Sequence, residues 1–398
     1  MLESLGLLVA FITIFALRAK KIDFSVAITV AAIIIGLTSG NQVSIIFSVL
    51  YTTVSSPSTW TLVVAVVMIT VLGYALKETG LMIRFIEGLS NVLPGNILLA
   101  LIPAIFGFLS MPGGALMSAP FIEPEANKLG LEPEYKTYFN VWFRHLLYWV
   151  NPVTSSTIMA TTLAGFTINY WLRVQWPLFF AMVAIGLFFS RDFISTPKRK
   201  SDGGKFTLDD ALGAIPLLIT VGLVLYGLEV YIGLGAGILS TFLLGRVRPK
   251  RALRMIWKGI QWNTAMAVLA TLYLRDMVIS SGSVDLLFDA ILGAGIPRIA
   301  IAVFIPLLIG AISGSPAMGV GISFPLLLPL FNEPNIHVVS IIFVGITCTY
   351  ITSPLHLCLV LINSYYKSDL NKVIRYLAPS AAALYLSGVA YHWILNSL

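Results

Sequence analysis

Apolar runs recur along the whole chain, at 3–18, 23–38, 60–78, 134–166, 172–190, 210–228, 231–246, 261–280, 336–366 and 373–396. A bilayer core takes about 20 apolar residues per helix, so most of these runs predict membrane helices. Two further apolar stretches, 97–126 and 297–330, are interrupted by SMPGGALMSAP and SGSPAMGVGISFP. Each flank is about 13–16 residues, short for a crossing but suited to a re-entrant hairpin. Two of the long runs contain a helix break. Asn151–Pro152 interrupts 134–166, and Ser353–Pro354 interrupts 336–366.

Composition agrees with this pattern. The chain has 398 residues, 58% of them hydrophobic and 11% charged, against about 25% charged in a soluble domain. The mean hydropathy is +0.90. There is room for about ten to twelve membrane segments, and no hydrophilic stretch long enough for a separate soluble domain. The net charge of +7 resides mostly in loops, where it sets topology and does not point to nucleic acid. The N-terminal run lacks a basic start and a small-residue cleavage site, so it reads as the first helix and not as a cleaved signal. Cys348 and Cys358 form no metal-type spacing and read as small core residues.

The interruptions disclose an internal repeat. Gly80 matches Gly282, Tyr148 matches Tyr350, and Asn151–Pro152 matches Ser353–Pro354, each pair 202 residues apart. The first repeat is 1–190, with hairpin 97–126 and broken helix 134–166. A cytoplasmic linker, 191–209, leads to the second repeat, 210–398, with hairpin 297–330 and broken helix 336–366. Lys and Arg concentrate in Arg18–Lys21, in the linker and in 246–260, whereas the loop at 39–59 has no charged residue. The positive-inside rule then gives the two halves opposite orientations and puts both termini outside. The basic segment 246–260 is read as an interfacial helix on anionic headgroups, or as a lipid- or partner-binding helix. The fold class expected is therefore an all-α polytopic membrane protein of two inverted repeats, each with about five crossings, a re-entrant hairpin and a broken helix.

The chemistry sits at the interruptions. Pro152 and Pro354 each remove an amide donor and free a carbonyl, that of Tyr148 and that of Tyr350. Broken helices at corresponding places in two repeats are the best pointer to a transporter's binding site. The hairpin tips, Pro112–Gly113–Gly114 and Gly314–Ser315–Pro316, each start a new helix, whose free amides suit a carboxylate or another anion. Exposed carbonyls and hydroxyls near Gly113, Asn151, Ser315 and Ser353 suit Na⁺. Arg144 stands seven residues before Asn151, about 10 Å along a helix, with no Asp or Glu between Tyr135 and Phe189. It either snorkels or pairs with a carbonyl, or meets an anionic substrate. His145 and His356 read as packed core residues or as proton carriers. Arg275–Asp276 either pairs or faces a cavity. No HExxH, GxSxG, Walker loop or pair of intramembrane aspartates occurs, so enzyme chemistry is not expected.

The hairpin motifs SMPGGALM and SGSPAMGV, followed by the breaks VNPVTSST and ITSPLHL, resemble the ion-transporter superfamily, which includes gluconate permeases, citrate carriers and divalent anion:sodium symporters. More narrowly, the chain resembles a poorly characterised prokaryotic membrane-protein family within it. The divalent-anion symporters carry a Ser-Asn-Thr signature at their tips, where this chain has Met111–Pro112–Gly113 and Gly314–Ser315–Pro316. The resemblance implies a homodimer in the cell membrane, with an elevator of hairpins and broken helices moving against a scaffold. The expectation is a secondary transporter of a small organic anion, coupled to Na⁺ or H⁺. Asn151, Thr154, Ser155, Ser313, Ser315, Ser353 and His356 would bind the substrate, with Arg144 or the helix termini at Gly113, Gly114 and Gly314 supplying positive charge. An inorganic-anion channel or exporter on the same scaffold is the alternative.

Overall fold

The computed structural model describes residues 2–20, 22–39, 43–108, 114–190, 205–282, 293, 295–331 and 335–397. The first half begins with α1 (Leu2–Ala19), α2 (Phe24–Thr38), α3 (Ser44–Ser55), α4 (Pro57–Glu78) and α5 (Leu81–Val92). A hairpin follows, α6 (Gly95–Phe108) and α7 (Gly114–Lys128). α8 (Pro133–Arg144) leads through a 3-10 turn at Leu146–Trp149 to α9 (Ser155–Ala164), and α10 (Ile168–Phe189) closes the half. The second half contains α11 (Leu208–Ala211), α12 (Ile215–Leu225), α13 (Val230–Leu244), α14 (Pro249–Gly259) and α15 (Trp262–Ser281). Its hairpin is α16 (Arg298–Ser313) and α17 (Pro316–Leu327), its broken helix is α18 (Ile336–Thr352) and α19 (Leu357–Tyr366), and α20 (Leu370–Ser397) ends the chain.

Several helices begin 202 residues apart: α7 and α17 at Gly114 and Pro316, α9 and α19 at Ser155 and Leu357, α10 and α20 at Ile168 and Leu370. The packing pairs recur as well. α6 packs on α7 and α8 as α16 packs on α17 and α18; α8 meets α20 as α18 meets α10; α4 holds α13 and α14 as α15 holds α2 and α3. Gly80 and Gly282, both left-handed (φ 71° and 65°), stand at the N-cap of α5 and the C-cap of α15.

Among the described residues, four stretches are long and apolar enough to cross a membrane by length and composition, at Pro57–Glu78, Ile168–Phe189, Ile336–Tyr366 and Leu370–Leu395. The expected crossings elsewhere are shorter helices. α12 and α13, for example, have 11 and 15 residues, so even α13 rises only about 22 Å against a core of about 30 Å. Leu218, Leu243, Phe304 and Leu308 are each 63–69% exposed, a surface that suits lipid and not water. The chain is an all-α polytopic membrane protein.

Two expectations are corrected here. The uncharged stretch 39–59 is not simply a loop, because 44–55 forms α3. Its Tyr51 and Phe47 point outward (75% and 70% exposed), while α3 docks on α15: the Tyr273 hydroxyl donates to the Ile46 carbonyl at 3.1 Å, and the Thr53 hydroxyl to Asp276 Oδ2 at 2.6 Å. Arg275 pairs with Asp276 at 2.7 Å beside this contact. The first break also begins earlier than the proline implies. α8 ends at Arg144 and the chain tightens into a 3-10 turn at Leu146–Trp149, so the break begins at Arg144 itself. A cation in the last turn of a helix opposes the partial negative charge of the free carbonyls there. The linker 191–204 lies outside the described residues.

The core between the halves is aromatic. Trp149 and Trp171 both meet Phe343 edge-on, at 6.0 and 5.2 Å between centroids. Polar bonds fix the register between halves: Gln175 Nε2 donates to Ser340 Oγ at 2.8 Å, Tyr138 and Ser380 meet at 3.1 Å, and Thr137 and Ser368 meet at 2.8 Å.

Candidate functional site

Both breaks are tied to the hairpin beside them by one device. Asn151 Nδ2 donates to the Phe108 carbonyl at the end of α6 (3.2 Å), while its Oδ1 accepts from the Val153 amide (3.0 Å). Ser353 Oγ donates to the Ala311 carbonyl near the end of α16 and accepts from the Leu355 amide at 3.0 Å. Each side chain therefore replaces a lost helical bond and clips the break to the hairpin. Close backbone approach reinforces the clip. A Cβ on Gly107 would stand 1.8 Å from the Arg144 carbonyl oxygen, and one on Gly310 would stand 2.4 Å from the Ile346 carbonyl oxygen. Arg144 and Ile346 are themselves 202 apart.

The second hairpin's tip, Gly107 of the first hairpin and both breaks line a cavity of about 450 Å³. Three helices of the second hairpin and the two breaks open onto it through their first turns. α9 contributes Thr154, Ser155 and Ser156; α17 contributes Ser315, Pro316, Ala317 and Met318, with Gly314 before it; α19 contributes Leu357 and Cys358. Thr154 caps α9, accepting from the Thr157 amide at 3.2 Å, and Ser315 caps α17, accepting from Met318 at 3.1 Å. Gly314 takes φ 73°, the left-handed turn that lets α16 stop and α17 start. Tyr148 and Tyr350 line the cavity from the two breaks, and Thr271 from α15. Arg18 at the end of α1, Asp23 and Ser25 at the start of α2, and Gln261, Asn263 and Thr264 at the start of α15 also line it.

Two cationic side chains line this cavity, Arg18, whose Nη1 donates to the Ile22 carbonyl at 2.7 Å, and Arg144 of the first break. Arg144 is 4% exposed, and its guanidinium makes no hydrogen bond or ion pair among the described residues, with Nη1 fully enclosed. Three helix N-termini and an unpaired guanidinium around one cavity form a site for negative charge.

The structure sorts the residues singled out from the sequence. Arg144, Thr154, Ser155, Gly314 and Ser315 line the cavity. Asn151 and Ser353 stand off it, because their side chains are spent in the clips. Ser313 is also turned away, donating to Gly310 and Ser315 carbonyls at 3.3 and 3.1 Å. His356 is fully buried behind Tyr350, its ring centroid 4.1 Å from the tyrosine ring. Gly114 begins α7, and Pro112 and Gly113 lie outside the described residues. Sequence reasoning passed over Tyr148 and Tyr350 as ligands, although their 202 spacing had marked them. It also passed over the QWNT run at 261–264, whose polar residues at the head of an apolar helix were the available signal.

A family model described as "Protein of unknown function (DUF401)" matches residues 1–394. No curated protein matches the chain. Among solved structures the chain is similar to one described as the crystal structure of the Alcanivorax borkumensis YdaH transporter with an unusual topology. The likeness has a TM-score of 0.63 at 15% identity and covers 88% of each chain. At that identity the likeness concerns the fold.

Proposed function

The chain belongs to the DUF401 family, and from that premise we propose that it is a secondary transporter of a small organic anion, with the cavity between the two helix breaks as its substrate site. The single observation that carries this reading is the Arg144 guanidinium, buried and unpaired among the described residues in the wall of the cavity. A buried cation without a partner is costly, and a substrate carboxylate would complete it. Thr154, Ser155, Ser315 and the amides behind them would bind the remaining oxygens. The shared fold with a protein described as a transporter supports the reading, as does the resemblance to gluconate, citrate and divalent-anion carriers.

In this reading the halves 1–190 and 210–398 are inverted repeats, coupled to Na⁺ or H⁺, in a homodimer in the prokaryotic cell membrane with both termini outside. Arg18 and Gln261, which line the cavity, belong to the side the basic loops assign to the cytoplasm, so the cavity would face inward. Movement of hairpins and broken helices together, held by the Asn151 and Ser353 clips, would carry the site across. The test is a thermal-shift screen of organic and inorganic anions with and without Na⁺, followed by uptake of the hits into proteoliposomes. Arg144→Ala should abolish saturable uptake, and Arg144→Lys should keep part of it. Undiminished uptake by Arg144→Ala sinks the site assignment. Ion currents without saturable exchange would instead indicate a channel.

A further inference from the structure

All four histidines of the chain occur in two facing pairs, His337 with His392 and His145 with His356. The second pair joins the two breaks: His145 follows Arg144 at the end of α8, and His356 caps α19. Their ring centroids are 4.8 Å apart, and both residues are almost fully buried, at 1% and 0% exposure. Each Nδ1 donates to a main-chain carbonyl, His145 to Val141 at 2.6 Å and His356 to Ile351 at 3.2 Å. That fixes the tautomer and leaves each Nε2 as a bare lone pair, and neither has a hydrogen-bond partner among the described residues. Two enclosed, unsatisfied proton acceptors in one cluster are unfavourable as they stand.

The charged and titratable groups around the pair are few. Arg144 and Tyr148 come from the first break, and Tyr350 and Cys358 from the second. α6, α9 and α17 carry no titratable side chain. On α7, Glu123 is engaged by the Tyr365 hydroxyl at the far end of α19. On α18, Cys348 lies toward Tyr385 of α20. No carboxylate therefore faces the histidines among the described residues, and the only fixed charge beside them is the positive Arg144. While the cavity is empty, a proton on either ring would add a second cation to an unpaired one. Burial itself opposes charge on either ring; an anion on Arg144 removes the added repulsion and sets a negative charge beside the pair, which lowers the cost of a proton on one Nε2.

Resting on the anion-cavity reading above, we propose that the His145–His356 pair is the coupling-proton site, neutral beside an unoccupied Arg144 and singly protonated when an anion is bound. The pair touches both breaks, so proton and anion would load one cluster together. This makes the transporter a proton–anion symporter.

Solid-state NMR of ¹⁵N-histidine-labelled full-length protein in lipid, titrated from pH 4.5 to 8.5, tests this without knowledge of the substrate. Single substitutions assign the four rings, and His337 and His392 serve as internal references. In the wild-type protein the His145 and His356 rings should stay neutral throughout the upper range. Arg144→Glu puts a carboxylate where the anion would sit, and should let one of the two rings protonate at least one pH unit higher, a tenfold gain in proton affinity. Arg144→Met should fall between and supplies the same comparison if the Glu variant does not fold. Superimposable curves in wild type and variants overturn the proposal, as does a wild-type pair that already titrates like a free imidazole. Anion uptake reports on the parent reading separately. A shift without uptake leaves the proton site and removes the transporter; uptake without a shift does the reverse.

Discussion

The two helix breaks are built to one plan and finished differently. Both clip a hairpin through a short polar side chain, Asn151 to Phe108 and Ser353 to Ala311. Both are crowded by a glycine on the hairpin's first helix, Gly107 and Gly310. Yet the first break carries Arg144 and His145 where the second has Ile346 and Thr347. The first helix also ends in a 3-10 turn, whereas α18 continues to Thr352. The repeated parts hold the chain in place, and the unrepeated parts carry charge. In the reading proposed above, the one arginine that the second break lacks would meet one negative group of the substrate.

The glycines offer the largest break of this comparison. A methyl on Gly107 or Gly310 meets a main-chain oxygen at 1.8 or 2.4 Å, and backbone cannot swing aside as a side chain can. Gly107→Ala and Gly310→Ala should each cost about 3 kcal/mol, with Gly107 the worse. Gly222→Ala, where nothing lies within 4 Å, is the control. Denaturation in detergent measures all three. Equal stability of Gly107→Ala and Gly222→Ala would show that the two helices are not held at this distance.

The clips come next. Asn151→Ala and Ser353→Ala each orphan a carbonyl at a hairpin's first helix and an amide in the break, a loss of about 2 kcal/mol. Asn151→Ser copies the second half into the first and should recover most of it. If both alanine variants melt like wild type but lose anion binding, the two residues are ligands and not clips. Arg144→Ile makes the opposite exchange, writing the second half's residue into the charged position. Removing an unpaired buried cation should raise stability by about 1 kcal/mol while uptake disappears. A fall in both would mean that Arg144 is held by structural contacts.

These pairs also mark how far the sequence could be read. The hairpins and breaks were legible because proline and glycine leave a helix few alternatives, and their spacing repeats. Asn151 and Ser353 were visible as break residues, but not which way their side chains turn, because a short amide or hydroxyl serves a ligand or a carbonyl equally well. α3 was hidden for a different reason. SIIFSVLYTTVS is too short and too mixed to register as a span, and its helix is stabilised by docking on α15 through Thr53 and Ile46. Gly107 and Gly310 looked like any glycines in apolar helices, since close approach is a property of the partner helix. Arg144 was legible as an anomaly from the start; its lack of a partner could only be seen once the surrounding walls were in place.

The finest contrast lies one helix further on. α9 and α19 end with the same hydrogen bonds: Phe166 and Ser368 amides reach back to Thr161 and Asn363 carbonyls at 3.0 and 3.1 Å, around a left-handed residue. In the first half that residue is Gly165 (φ 75°), and in the second it is Lys367 (φ 53°). Space does not explain the difference, since a Cβ on Gly165 would meet nothing within 4 Å. The left-handed torsion costs a residue with a Cβ about 1 kcal/mol relative to glycine. Lys367 offsets part of this by placing a cation at a helix C-terminus, worth about 0.3–1 kcal/mol, and by adding a positive charge on the side assigned to the cytoplasm. Lys367→Gly should therefore raise the melting temperature slightly, and Gly165→Lys should lower it by more, if its end of the helix lies outside as the topology rule assigns it, where an added cation gains nothing. A lower melting temperature for Lys367→Gly would show that charge outweighs torsion at this cap, and that topology is written into the repeat down to a single residue.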